Sequence, residues 1–278
     1  MTITETECET TCIDVHSQLI YEVANAAEFQ LQIAVRPLSQ QSIESESVKI
    51  YHNDQQIDDS QWSEVAIPAT ENRCYRFRAE PGQWRIDYDA AVTKISQLQA
   101  GSHCLSPITS LPAEALPFLN PSRYCESDRF LQLAENQFGG LKRDDSLVEA
   151  LENMVFNRTS YTMGSSNAQT TATDTYLSTE GVCRDFAHLL IVLCRALRIP
   201  ARYTSGYLVE LQPPDFHAAV EVFIGDHWQI YDATRLASLG GFVPIAIGLD
   251  AADVAFASFS GKVNMLNCTI SAVARTSA

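Results

Sequence analysis

A cysteine, a histidine and an aspartate carry the chemistry that this chain of 278 residues could perform. Cys183 stands in EGVCRDFAHLLIVLCRALRIP, residues 180–200, and His217 and Asp232 stand in DFHAAVEVFIGDHWQIYDATR, residues 215–235. A thiol with an ordinary pKa of about 8.5 is only slightly ionised at neutral pH, so a cysteine nucleophile needs a base to take its proton. Imidazole titrates in the right range, and a carboxylate beside it holds one tautomer. The set suits attack on an acyl group, with a thioester as intermediate.

The elements that must position these groups are legible around them. Ala187, Leu190, Cys194 and Leu197 follow Cys183 at helical spacing and form one apolar face, the face expected to be buried. A helix beginning near Gly181 or Val182 puts Cys183 in its first turn. Free backbone N–H groups and the positive end of the dipole there favour a thiolate, and the N–H of Cys183 itself is a candidate oxyanion donor. Pro200 ends the helix, and ARYTSGYLVEL resumes as a strand. Gly225-Asp226 then makes a two-residue hairpin turn, with glycine where a type II′ turn needs it. In that register Ile224 faces His227, Ala219 lies opposite Asp232, and His217 lies opposite Thr234. His217 and Asp232 thus share a face as diagonal neighbours about 7 to 8 Å apart, a gap that their side chains can close to a hydrogen bond.

Rivals rank lower. Cys194, on the buried helix face, reads as a small core hydrophobe. His188 points roughly 140° away from Cys183 around the helix and reads as structural. Asp215 and His227 stand behind Asp232 and His217, His227 because it sits at an exposed turn. YTMGSSNAQTTAT, residues 161–173, has no periodicity and reads as a loop leading to the cysteine, either lining a site, with a side chain near Tyr161 as a candidate second oxyanion donor, or serving as a solvated connector.

Before this region the chain has the texture of short antiparallel strands: QLIYEVA, FQLQIAVRPL, SVKIYHN, NRCYRFRAE and QWRIDYDAAV. Tyr75, Phe77 and Ala79 alternate with Arg76, Arg78 and Glu80. His16 and His52 lie among these strands and read as solvated or hydrogen-bonded strand residues. Prolines at 107, 112, 117 and 121 mark a connector, which divides the chain into a β-sandwich over residues 1–110 and a second domain over 111–278, whose last strands can pack back on the first. In the second domain Ser127 caps a predicted helix DRFLQLAENQF closed by Gly139-Gly140, and another helix runs from near Asp144 to near Asn157.

Composition narrows the partners. Nineteen Lys+Arg against 34 Asp+Glu give a formal charge of -15, which argues against nucleic acid and anionic membrane surfaces. The acidic start MTITETECETTC lacks the features of a secretory signal and no apolar run reaches membrane-span length, so the expected address is the cytoplasm. There the eight scattered cysteines read as free thiols and the sequon at Asn157 carries no weight. Cys8 and Cys12 are not in CxxC spacing, and no zinc or calcium pattern is present, so no metal or cofactor is expected.

GVCRDFAHLLIVLCRALRIPARYTSGYL followed by DFHAAVEVFIGDHWQIYDATR resembles the core of the bacterial transglutaminase-like family, within the papain-like cysteine enzymes. The resemblance runs from PSRYCESD at Pro121 to GLDAADVAFASFSG, and the preceding strands are similar to the sandwich domain that such proteins carry. It implies an α+β fold, an antiparallel β-sandwich followed by a core in which the nucleophile helix packs on an antiparallel sheet. It also implies that Cys183, His217 and Asp232 are the catalytic cysteine, histidine and aspartate. Two positions depart from the family pattern. Ala219 replaces a usual aromatic, a change that can widen the pocket or alter how the substrate packs, and Ala233 replaces a common proline, which can loosen the turn at Asp232. The implied activity is transfer of an acyl group from an amide to water, as in a peptidase or amidase, or to an amine, as in a transglutaminase. The implied partner is a protein or peptide carrying a glutaminyl or other amide group. Water, the default acceptor, favours hydrolysis. A non-catalytic binding or assembly module and an arylamine-type acyltransferase are the alternatives, and the sequence assigns no oligomeric state.

Overall fold

A strand with alternating apolar and polar residues must hide one face, and the amino-terminal part of the chain hides its apolar faces between two sheets. The computed structural model describes residues 8–97 and 103–275; the acidic start over residues 1–7 and the side chain of Cys8 lie outside the described residues. The first strands are β1 (Cys8–Val23), β2 (Ala27–Leu31), β3 (Gln41–His52), β4 (Gln55–Gln56), β5 (Trp62–Ile67), β6 (Asn72–Ala79) and β7 (Gly82–Gln97). Next come α1 (Leu131–Phe138), α2 (Asp145–Arg158), β8 (Ser160–Tyr161), α3 (Ala172–Ser178), β9 (Glu180–Gly181) and α4 (Cys183–Ala196). Strands β10 (Ala201–Leu208), β11 (His217–Ile224), β12 (His227–Tyr231), β13 (Phe242–Gly248), β14 (Ala257–Ser260) and β15 (Val263–Arg275) complete the chain.

Two antiparallel sheets, ordered β15-β1-β7-β3-β4 and β14-β2-β6-β5, form the sandwich. In β6, Tyr75, Phe77 and Ala79 are buried while Arg76 and Arg78 are exposed, as the alternation requires. Tyr21 meets Phe29 across the two sheets edge to face at 5.3 Å, and Phe29 stacks on Phe77 at 4.8 Å. The carboxy-terminal strands β14 and β15 pair with β2 and β1, so both sheets draw on the two ends of the chain.

The structure departs from the sequence reading in several elements. Strand β1 begins well before QLIYEVA: Ile13 and Val15 continue its buried alternation, and pairing with β7 on one side and β15 on the other satisfies the backbone of the polar residues that precede them. Strand β5 was not anticipated. The run FQLQIAVRPL leaves the sheet after Leu31, although Ile33, Ala34 and Val35 remain fully buried as core. Ser127 does not cap a helix: residues Ser127–Phe130 form a 3-10 turn without a side-chain cap, and the α-helix starts at Leu131. The segment read as a loop starts on the second residue of β8, and its end enters α3, which Thr171 caps with Asp174 reciprocating.

A third antiparallel sheet, ordered β12-β11-β10-β13, carries α4 on one face. The expectation of one buried face on α4 was too narrow. Every residue from Asp185 to Ala196 is buried, because α1, α2 and α3 cover the sides that the sheet leaves open. Arg195, 1% exposed, is accommodated by donating to the carbonyls of Asn120, Ala201 and Leu249 at 2.7 to 3.0 Å. Sandwich and core meet at Tyr207, whose hydroxyl donates to Ile33 O at 2.8 Å, and at Asn72, whose side chain exchanges hydrogen bonds with the backbone of Ile247. Among the described residues no helix is long and apolar enough to cross a membrane.

Candidate active site

The site is built at the start of α4. Gly181 is required by close approach, since a Cβ there would stand 2.7 Å from the Cβ of Asp185. Asp185 is fully buried, its carboxylate accepts the N–H of Val182 at 2.8 Å, and Arg184 closes on it at 3.0 Å. The first turn is thus capped by an anion that a neighbouring guanidinium offsets. Cys183, half-buried, is the first residue of that turn.

The two-residue strands β8 and β9 run parallel, with Tyr161 opposite Gly181 and the N–H of Thr162 donating to Gly181 O at 2.9 Å. This ladder brings the Tyr161 phenol against both the backbone N–H and the thiol of Cys183. Burial first, and then the negative charge that the sulfur can carry, push the phenol up to about 12.

The hairpin supplies the other two groups. Gly225 turns with φ +66°, and the pairs run from Ile224–His227 to Val220–Tyr231 in the predicted register. Pairing stops there, short of Ala219 and Asp232, and His217 instead lies opposite Gly206 of β10. Released from the ladder, Asp232 is fixed by its surroundings. Its N–H donates to Glu152 of α2 at 3.1 Å, and its carboxylate accepts the N–H of Thr234 at 2.9 Å and the Thr234 hydroxyl at 2.8 Å. His217 Nε2 then donates to Asp232 Oδ2 at 2.8 Å, with side chains only 1% and 3% exposed. Burial disfavours the charged ring, but the bond to Asp232 and the interaction with Cys183 outweigh it and raise the imidazole to about 9. With Nε2 committed, Nδ1 is buried without a completed hydrogen bond and is the nitrogen left for the thiol.

The structure therefore brings Cys183, His217 and Asp232 together and leaves the rivals out. Cys194 is fully buried, and burial pushes its thiol up to about 12. His188 accepts the N–H of Ala251 at 3.2 Å and stacks on Tyr124 at 5.2 Å, and burial drives its pKa down to about 3. His227 bonds Asp226 at the hairpin turn. Asp215 accepts the N–H of Phe216 at 2.8 Å; burial raises its pKa, and its charge reaches His217 and Tyr161 without joining them.

Both departures from the family pattern lie in packed surroundings. Ala219, 1% exposed, packs in an apolar cluster with Leu208, Leu211 and Phe242. The turn at Asp232, before Ala233, is held by Thr234 and Glu152. Thr234, Glu152 and Asp185 received no role from the sequence. The spacing of Asp232 and Thr234 is an Asx-turn signal that could have been used, whereas Glu152 lies on another element and gives no local sign. Among the described residues no group of three or more His, Cys, Asp or Glu side chains is placed to hold a metal ion, and the seven described cysteine side chains are all free thiols.

Residues 131–233 match the core model of the transglutaminase-like superfamily. The crystal structure of a putative cysteine protease from Cytophaga hutchinsonii is 36% identical, superposes with a TM-score of 0.89, and covers 97% of this chain and 92% of that one. An uncharacterized protein of Mycobacterium leprae is 31% identical over 104 residues, which is 34% of this chain and 37% of that protein. A second, from Mycobacterium tuberculosis, is 39% identical over 71 residues, 24% of this chain and 23% of that protein. The chain thus spans well under half the length of these two curated relatives.

Proposed function

This chain belongs to the transglutaminase-like superfamily, and from that premise we propose that it is a cysteine-nucleophile hydrolase that cleaves amide bonds of peptides or proteins through an acyl-thioester. The observation that carries the reading is the buried 2.8 Å bond between His217 and Asp232, which leaves Nδ1 of the imidazole for the thiol at the head of α4.

A pKa of about 9 favours the protonated ring, so His217 is the base that takes the proton of the Cys183 thiol through Nδ1 as the sulfur attacks. The sulfur attacks the amide carbon, and the carbonyl oxygen becomes an oxyanion held by the N–H of Cys183 and the hydroxyl of Tyr161. His217 passes the proton to the leaving nitrogen, the C–N bond breaks and the amine departs. The acyl group remains on sulfur. Water then gives a proton to His217 and attacks the thioester, releasing the acid and returning the proton to the thiol. Asp232 keeps the ring in one orientation and stabilises its charged form. The name of the Cytophaga hutchinsonii relative supports water as acceptor over an amine.

The test is mass spectrometry of peptide mixtures incubated, with and without a primary amine, with the wild type and with Cys183→Ala. Hydrolysed products that depend on Cys183 are expected. Amine adducts in place of acids would reassign the acceptor, and products indifferent to Cys183→Ala would sink the proposal. In the folded protein, iodoacetamide should label Cys183 at least about a hundred times faster than Cys194, because burial keeps the latter inaccessible and protonated.

A further inference from the structure

A cavity of about 550 Å³ opens where the rim of the sandwich meets the β12-β11-β10-β13 sheet, and Cys183, His217 and Asp232 are not among its lining residues. Its charges are unusual for a chain whose formal charge is -15. Three cations, Arg36, Lys94 and Arg202, line it together with one carboxylate, Glu221. Arg202 takes that carboxylate at 2.6 Å through Nε and lies over the Trp228 ring at 3.9 Å. Among the described residues Arg36 and Lys94 then have no acidic partner.

Both remaining cations are held in place by carbonyls. Arg36, 9% exposed, gives Nη2 to Thr70 O at 3.0 Å, while its Nε is buried without a hydrogen bond. Lys94 gives Nζ to Gly240 O at 3.2 Å and to Phe242 O, and its ammonium has a third hydrogen to donate. Burial lowers the pKa of Lys94 to about 8, which still leaves it mainly charged at neutral pH. Arg36 and Arg202 are close enough that the one guanidinium disfavours the charge on the other. Gln41 donates to Arg36 O at 2.7 Å and so fixes the backbone that carries Arg36. Partly buried positive charges without counter-charge are costly in the empty site and become favourable once an anion enters.

We infer that this cavity binds a small phosphate monoester, with Arg36 and Lys94 as its charge partners and the Arg202–Glu221 pair fixed against Trp228 as one wall. The net balance of two positive charges matches a phosphate monoester, which carries about -1.5 to -2 at neutral pH, better than a carboxylate with one. A guanidinium fork and an ammonium are the donors that such a group uses. Phe242, which lines this cavity, also stands 6.4 Å from the His217 ring, so the two sites share a wall residue.

The experiment is calorimetric titration of Cys183→Ala protein with inorganic phosphate and with glycerol 3-phosphate. Acetate and glycerol at matched ionic strength are the controls, and because the readout is binding, the outcome is independent of the catalytic reading. Saturable binding of both phosphates is expected, weakened about tenfold or more by Arg36→Gln or Lys94→Gln. Glu221→Gln, which frees Arg202, should tighten it. Opposite shifts in the two kinds of variant support the site, and should the cation variants fail to fold, tightening by Glu221→Gln still decides. No saturable binding to the parent protein, binding equal to that of acetate, or affinity unmoved by Glu221→Gln would overturn it.

Discussion

Among the described residues two histidine–aspartate pairs have the same 2.8 Å bond and different surroundings. His16 and Asp89 face each other across β1 and β7 on the outside of the sandwich, with side chains 35% and 59% exposed. His217 and Asp232 meet at the end of the core hairpin, 1% and 3% exposed. Water and salt screen the first pair, and two exposed groups in contact are worth little. The second pair has lost its water, so the bond sets the protonation state of the ring, and the nitrogen left over faces a thiol rather than solvent. Bond length does not distinguish them. Desolvation and the identity of the third group do.

The sharpest way to break the comparison is to remove each imidazole. His217→Ala should lower the turnover rate by about 10³-fold or more, the range for loss of a general base that also activates the nucleophile. A loss below tenfold in steady-state kinetics would mean that the buried pair does not serve Cys183. Next in size is Tyr161→Phe, which removes a hydroxyl from beside Cys183. It should cost about 10²-fold in kcat with a smaller change in KM, as loss of one oxyanion donor does. A change confined to KM would move Tyr161 from the reacting oxygen to substrate binding.

Stability against pH reports the buried pair without any substrate. The folded-state pKa of His217 is raised from its ordinary 6.5 to about 9, so the protonated ring favours the folded state. That contribution is complete below about pH 6.5 and is lost as pH rises through about 9, on the order of 3 kcal/mol in total. Urea midpoints should fall across this window, and a profile flat between those limits would contradict the assignment. The smallest effect belongs to the exposed pair. His16→Ala should leave turnover unchanged and shift stability by less than about 1 kcal/mol. A larger shift in the same denaturation measurement would show that the sandwich pair is not screened as its exposure implies.

How much was legible in the chain follows from the range of each determinant. The start of α4 and the register of β11 with β12 depend on neighbouring residues, and the helical spacing after Cys183 and the turn at Gly225 specified both. Strand β5, helix α3 and the early start of β1 were not anticipated. Pairing with the distant strands β7 and β15 fixes β1, β5 is the outer strand of a hairpin with β6 and buries no residue fully, and the capping box of α3 was short and lay inside a polar segment. Glu152 could not be placed at the site, because it reaches Asp232 from a helix 80 residues earlier in the chain.

The sequence by itself determined that Cys183 heads a helix and that His217 and Asp232 flank one hairpin, since helix pitch and hairpin register are local consequences of residue order. Tertiary structure alone decided what those side chains become. Packing removed water from His217 and Asp232, the β8–β9 ladder carried Tyr161 to the thiol, and α4 was enclosed on every side. Dielectric environment and contacts between distant segments arise only when the chain closes on itself, so they set the pKa of the imidazole and the donors around Cys183 where periodicity could not.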